Sequence, residues 1–376
     1  MKVVTAIDSF KGSMTSMEAG FAAAEGIHRV DADAEVQVRP LADGGEGTVE
    51  ALVAGMNGKT EHVKVTGPLG EPVICEYGII ESTKTAVIEM AGAAGITQVP
   101  DEKRNPLYTT TYGVGEVIKD AIEKGCRRFI VGIGGSATND GGVGMLQALG
   151  YAFLDKDGKQ VLPGARGLKD ITEITAAYVI PELAECKFRV ACDVTNPLCG
   201  ELGCSSIYGP QKGATPEMIQ DMDQWLGAYA ELAKERFPKA DAKYPGTGAA
   251  GGMGFAFLTF TDAVLESGIN IVLDETKLED YIKDADLVIT GEGRMDGQTA
   301  MGKAPVGVAK LAKKYGKKVI AFAGAVQRDA RACNDAGIDA FFPILRGVVT
   351  LDEAMKNENA KQNLADTAEQ VIRLMK

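Results

Sequence analysis

The stretch "VVTAIDSFKGSMTSMEAGFAAAEGIHRVDADAEVQVRPLADGGEGT", residues 3–48, decides the fold. It opens on an apolar run that ends at Asp8 and suits a strand buried on both faces. Thr15 and Glu18 stand at capping-box spacing, and Met17, Phe21, Ala24 and Ile27 follow at the intervals of one helix face. "EVQVRPLA" (35–42) reads as a second strand and feeds the glycine-rich turn "DGGEGT" (43–48). Strand, helix and strand in this order predict a parallel sheet with helices on its faces.

The alternation returns at the other end of the chain. "ADLVITGEG" (285–293), "KKVIAFAGAV" (317–326) and "DAFFPIL" (339–345) are strands with helical stretches between them, and a long amphipathic helix follows. The middle reads differently. "HVKVTGPLGEPVICEYGIIESTKTAVIEMA" (62–91) holds strand-like runs too closely spaced for crossover helices, which predicts an antiparallel meander. "RRFIVGIGG" (127–135) and "KFRVACDVTNP" (187–197) are further strands. The expected architecture is α/β: a doubly wound parallel-sheet domain of residues 1–65 and 284–376, interrupted by an inserted second α/β domain, 66–283. A chain of 376 residues suits two domains, because single cores stop growing near 250–300 residues.

Composition narrows the function. A net charge of −12 argues against a nucleic-acid surface, which carries a basic stripe. No apolar run reaches the roughly 18 residues of a membrane span, and the start reads as a strand, so a cytoplasmic location is the default expectation. The seven Cys are scattered, as in a reduced protein, without paired C-x-x-C spacing for zinc. His28 and His62 are the only histidines, so chemistry here falls to Asp, Glu, Lys and Arg. Nothing in the pattern sets a subunit number.

Gly accounts for 46 of 376 residues and clusters where strands end. The clusters are "DGGEGT", "GIGGSATNDGGVG" (132–144), "GTGAAGGMGF" (246–255) and "TGEGRMDGQTAMGK" (290–303). Such turns expose backbone N–H groups that hold phosphate or carboxylate oxygens, at the strand ends where open α/β sheets bind ligands. Two of them imitate other motifs. "GQTAMGKA" (297–304) is one letter from a P-loop, with Ala304 where a hydroxyl should hold magnesium, and "GEGRMD" is expected to separate it from the strand. Gly132, Gly134 and Ala137, with Asp155 farther on, satisfy a dinucleotide fingerprint. That match supports the alternative of an NAD(P)-dependent oxidoreductase acting on a small hydroxy acid, and a non-catalytic binding protein is the third reading.

Acidic residues stand at strand ends: Asp8, Asp43, Asp193 and Glu292. Carboxylates there can hold magnesium or accept a proton from an attacking hydroxyl. Lys11, Arg294 and Lys303 lie close by in sequence. Carboxylates for a metal beside cations for anions are the inventory of phosphoryl transfer, which needs no histidine.

The motifs "DSFKGS", "ADGGEGT", "VTGPLG", "IGGSATNDGG", "ACDVTNPL", "GPQKGA", "AAGGMG" and "VITGEGRMD" run in this order along the chain. Together they closely resemble glycerate kinases of the bacterial type I family. The resemblance implies a flavodoxin-like domain interrupted by a second α/β domain, with the active site between them. It also implies magnesium-dependent transfer of the γ-phosphoryl group of ATP to D-glycerate, with 2-phosphoglycerate the usual product of the family and 3-phosphoglycerate the product of some members.

On that basis the expected catalytic residues are Asp193, as acceptor of the substrate proton, with Lys11 and Arg294. Glycerate is expected on Asp8, Ser9, Lys11, Ser136, Asn139 and Asp140. The nucleotide phosphates are expected on Gly44, Gly45, Gly47, Thr48, Gly134, Gly135 and Lys303, and magnesium near Asp43, Glu46 and Glu292. Which glycine loop holds ATP and which holds glycerate is left open by the residues themselves.

Overall fold

The computed structural model describes residues 1–376. Its thirteen strands are β1 (Lys2–Ile7), β2 (Glu35–Pro40), β3 (Lys59–Thr66), β4 (Pro72–Ile80), β5 (Thr85–Glu89), β6 (Arg128–Gly132), β7 (Ala152–Leu154), β8 (Glu173–Thr175), β9 (Lys187–Ala191), β10 (Ala263–Glu266), β11 (Leu287–Met295), β12 (Lys318–Val326) and β13 (Ala340–Pro343). The chain forms two compact units. The first comprises Met1–Asp43, Glu50–Asn57 and Ile269–Lys376, and the second Gly44–Val49 and Gly58–Gly268.

The limits differ from those expected at residues 65 and 283, for reasons of pairing and packing. β3 hydrogen-bonds to β4 along its whole length and so belongs to the second unit. Ile269, Leu273, Leu278 and Ile282 are buried in a core of the first unit, together with Val288 and Val308.

The sheet of the first unit has the order β13–β12–β11–β1–β2, with every pairing parallel. Counted within the unit this is 2-1-3-4-5, the flavodoxin-like doubly wound order, whose switch point lies between its first and third strands. Here those strands are β1 and β11. Helices cover both faces: Val3, Ile7, Ile289 and Phe322 point to one core, and Val4, Ala6, Val288 and Ala321 to the other.

The helix Ser16–His28 carries the expected capping box, with the Thr15 hydroxyl accepting from Glu18 N and the Glu18 carboxylate accepting from Thr15 N. Its expected apolar face is only partly the buried one. Ala24 and Ile27 are buried as expected, but Phe21 is 58% exposed, and Ala19, Gly20, Ala22, Ala23 and Gly26 are buried as well. The helix is pressed between β2 and the helix Asn357–Met375. A Cβ on Gly20 would come within 2.4 Å of Val38, and one on Gly26 within 2.1 Å of Ala365 O. Small residues permit both approaches, and this close packing overrides the hydrophobic periodicity.

The second unit is built on the order β10–β9–β6–β5–β4–β3, parallel from β10 to β5 and antiparallel from β5 to β3. Phe129 on β6 stacks on Phe188 of β9, ring centroids 4.7 Å apart, at the centre of its core. A separate two-stranded ribbon pairs β7 with β8. No helix in the molecule is long and apolar enough to cross a membrane.

Candidate active site

At the switch point of the first unit, β1 ends at Ile7 and Asp8 follows, its N–H donating to Gly291 O of β11 at 2.9 Å. The loop beyond is tight. Phe10 N donates to Met14 O at 2.9 Å, and Gly12 adopts φ 76°. Ser16 fixes the strand ends: its hydroxyl donates to Ile7 O at 2.6 Å and accepts from Leu41 N at 2.8 Å. Asp8, Lys11 and Asp43 therefore share one rim with Glu292, Arg294 and Lys303, all lining a cavity of about 400 Å³.

Burial raises two carboxyls of this rim, those of Asp8 and Glu292. Burial, with the nearby Asp43 charge adding to it, pushes the Asp8 carboxyl up to about 7, although Ser9 N–H and Lys11 oppose the shift. Burial likewise raises Glu292, against the Thr299 hydroxyl that donates to it at 2.5 Å and the charge of Lys303. Two raised carboxyls on one rim attract a cation. No three His, Cys, Asp or Glu side chains converge as a metal cluster, but magnesium carried on phosphates needs only one or two protein carboxylates.

The near P-loop is not one, though the reason is not the expected separation. β11 runs through Met295, so the segment follows the strand almost directly. Gly297–Ala300 instead forms a helical turn capped by Asp296, whose side chain accepts from Gln298 N and Thr299 N. The segment's amides are thereby occupied within the protein. Lys303 begins the next helix, Ala304–Lys314, as its N-cap residue, and reaches the cavity.

In the second unit the parallel strand ends gather the other glycine loops. The turn at Gly44 is confined: a Cβ there would meet Ala191 Cβ and Gly268 Cα, each at 2.7 Å, and Gly44 adopts φ 88°. The Gly132 Cβ position lies 2.4 Å from Gly44 O. Glu89, at the end of β5, accepts from Val49 N at 2.9 Å, and the N–H groups of Thr48 and Gly47 also lower its pKa. The amides of Gly47 and Thr48, expected on nucleotide phosphates, thus serve an internal carboxylate. Glu89 was not singled out in the sequence, where "TAVIE" reads as an ordinary strand. Glu46 is exposed and belongs to this unit.

The loop after β6 divides into an open and a closed half. Gly134 and Gly135 are exposed, with nothing within 4 Å of a Gly134 Cβ. Ser136 is buried and exchanges hydrogen bonds with Thr138. Asn139 and Asp140, expected on glycerate, are 0% and 1% exposed. Asp140 accepts from Thr111 N, Thr111 Oγ1, Gly142 N and Gly144 N, which holds two helix starts together. Asn139 donates to Ser205 Oγ at 2.9 Å.

Lys212 of "GPQKGA" is buried behind this loop, with Nζ 2.6 Å from Thr138 O and 3.5 Å from Ser136 Oγ. Asp193, just past β9, is exposed, and its Oδ1 accepts from Ser267 Oγ at 2.8 Å and Gly268 N at 3.2 Å.

The dinucleotide reading fails on the same geometry. The helix after the Gly132–Ala137 motif begins only at Val143, whereas the fingerprint opens its helix at the turn itself. Asp155 follows β7, not a strand of the parallel sheet, and accepts from Asp157 N and Lys159 N of its own turn.

The Glycerate kinase family model matches residues 3–376. A glycerate kinase of Haemophilus influenzae is 50% identical, covering 100% of this chain and 99% of its own. A glycerate 2-kinase of Escherichia coli is 48% identical, with 98% of each chain covered. A candidate glycerate kinase 2 of Salmonella typhimurium LT2, solved by crystallography, is 46% identical and superposes with a TM-score of 0.92 over 100% of this chain and 98% of its own. On sequence and on fold, the chain belongs to the glycerate kinase family.

Proposed function

We propose that the protein transfers the γ-phosphoryl group of ATP to the 2-hydroxyl of D-glycerate, giving 2-phosphoglycerate. The observation that carries this reading is the rim at the first unit's switch point, where Lys11, Arg294 and Lys303 stand beside Asp8, Asp43 and Glu292. Phosphoryl transfer is catalysed mainly by positioning and by neutralising charge, and this rim offers both signs. The choice of the 2-position follows the similarity to the E. coli glycerate 2-kinase.

The donor set fits magnesium. Asp43 and Glu292 would hold it, and the ion would supply charge neutralisation on the phosphates. Lys11 and Arg294 orient the anionic groups; Arg294 is itself steadied by Asp296, whose Oδ2 lies 3.4 Å from Arg294 Nε. Asp193 accepts the proton of the attacking hydroxyl, and the hydrogen bonds that its Oδ1 accepts from Ser267 Oγ and Gly268 N hold the carboxylate in orientation.

The test is direct. The protein is incubated with ATP, magnesium chloride and D-glycerate, and the products are resolved by phosphorus NMR. The reading expects a 2-phosphoglycerate resonance and ADP. A 3-phosphoglycerate resonance would move the site of transfer, and the absence of both would remove the kinase reading.

A further inference from the structure

The cavity at the first unit's switch point has two unlike halves. One is the charged rim already described. The other is apolar, formed by Phe10, Ile344, Leu351, Ala354 and Met355. Apart from Phe10, in the loop after β1, its residues come from the segment after β13 and the short helix Leu351–Met355, which Thr350 caps by accepting from Glu353 N at 3.2 Å.

This wall is fixed against the loop that carries Lys11. Asn357 Nδ2 donates to Ser13 O at 2.7 Å and to Glu18 Oε2 at 3.1 Å, and Lys361 Nζ donates to Glu18 Oε1 at 2.5 Å. The Met355 methyl lies 3.1 Å from a Cβ position on Gly12. The apolar and charged halves are therefore held at one spacing by the protein itself. Leu351 nevertheless stays 75% exposed and Met355 36%, an apolar surface left uncovered beside a set of cations.

A polar three-carbon hydroxy acid has nothing to lay on such a wall. The volume of about 400 Å³ lies within the ~300–1,000 Å³ of sites for much larger ligands. A ligand that matches both halves is flat and weakly polar at one end and polyanionic at the other.

We infer that this cavity is the nucleoside triphosphate subsite, with the base against Leu351 and Met355 and the phosphates toward Lys11, Arg294 and Lys303. The inference rests on the kinase reading above and deepens it. It also reverses the expectation that the "DGGEGT" amides take the phosphates and that Lys11 takes glycerate. The commitment of Val49 N, and of the Thr48 and Gly47 amides, to Glu89 agrees with that reversal.

The test compares the full-length protein with L351D, M355D and K11M. Binding of the non-hydrolysable analogue AMP-PNP with magnesium is followed by titration calorimetry, and KM is measured separately for ATP and for glycerate. Each variant is expected to bind AMP-PNP at least tenfold more weakly and to raise KM for ATP, while KM for glycerate stays within twofold. Because Leu351 is exposed, its replacement by Asp leaves the fold intact, and L351S serves as a milder check with a melting curve for each protein. AMP-PNP affinity within twofold of wild type in both wall variants would overturn the inference. So would a rise confined to the glycerate KM. The wild-type product assay stands apart: if it yields no phosphoglycerate the kinase reading fails, and the calorimetric titration still decides the subsite.

Discussion

The ammonium group of Lys212 lies 2.6 Å from the carbonyl oxygen of Thr138, in a place where the lysine is 3% exposed. No carboxylate pairs with it at salt-bridge distance, although Asp140 and the Cys204 thiol favour its charge from farther away. The lysine thus places a positive charge behind Ser136 and the exposed Gly134–Gly135 turn. Burial holds its pKa down, to about 8 from an ordinary 10.5.

That depression sets a pH dependence. Between about pH 8 and 10.5 the unfolded chain keeps a proton that the folded chain has lost, so stability rises with pH across this window. The slope contributed by this one group is at most about 1.4 kcal/mol per pH unit. Urea denaturation at pH 7.5 and pH 9.5 should show the rise in wild type, relative to Lys212→Met, where it is lost. Equal pH responses in the two proteins would contradict the assignment.

Glu89 anchors the 44–49 loop through Val49 N. Glu89→Ala leaves that amide without its partner, a loss of about 1.5–3 kcal/mol for a bond to a charged group. Glu89→Gln keeps an acceptor and should recover more than half of the loss. Thermal melting of the two variants checks the ordering.

Gly44 and Gly125 share a φ of 88°, but only Gly44 is enclosed. Gly125→Ala meets no atom within 4 Å and should cost only the left-handed backbone penalty, about 1–2 kcal/mol. Gly44→Ala adds contacts at 2.7 Å with Ala191 and Gly268, and overpacking of this kind costs a further ~1–3 kcal/mol. Denaturant midpoints should separate the two variants in that order.

Asp193→Asn tests the proton acceptor. General-base assistance is worth about 10²–10⁴-fold, so turnover should fall at least tenfold with the melting temperature preserved. Ser267→Ala removes the hydroxyl that bonds Asp193 while leaving the carboxylate in place. It should lower turnover far less. A near-normal rate in Asp193→Asn takes the role away from that residue.

Much of the fold was written locally. The Thr15–Glu18 capping box and the apolar runs of β1, β11 and β12 depend on neighbours in sequence and could be read from it. Strand order could not, because β1 pairs with β11 across most of the chain. The first helix was misread at Phe21, since periodicity weighs that residue by its apolarity, whereas the packing rewards the absence of bulk at Gly20 and Gly26. The rim of Asp8, Lys11, Asp43, Glu292 and Lys303 was legible, as all sit at strand ends or just beyond. Asn139 and Asp140 have the composition of ligand-binding residues, and their burial with internal partners could not be read from the sequence. Glu89 carries no local signal, and its importance appears only when Val49 is brought to it.

The position of β1 inside its sheet, one strand in from the β2 edge, matters during synthesis. Both of its edges find partners in the finished protein, β2 on one side and β11 on the other, yet roughly 280 residues separate Ile7 from Leu287. At about 5–20 residues per second, a ribosome takes tens of seconds to deliver the missing neighbour. Throughout that interval the nascent amino-terminal strand and helix carry an open, aggregation-prone border, and the stretch from Gly58 to Gly268 is translated whole before that border is closed. The last turns translated are the ones that close the first.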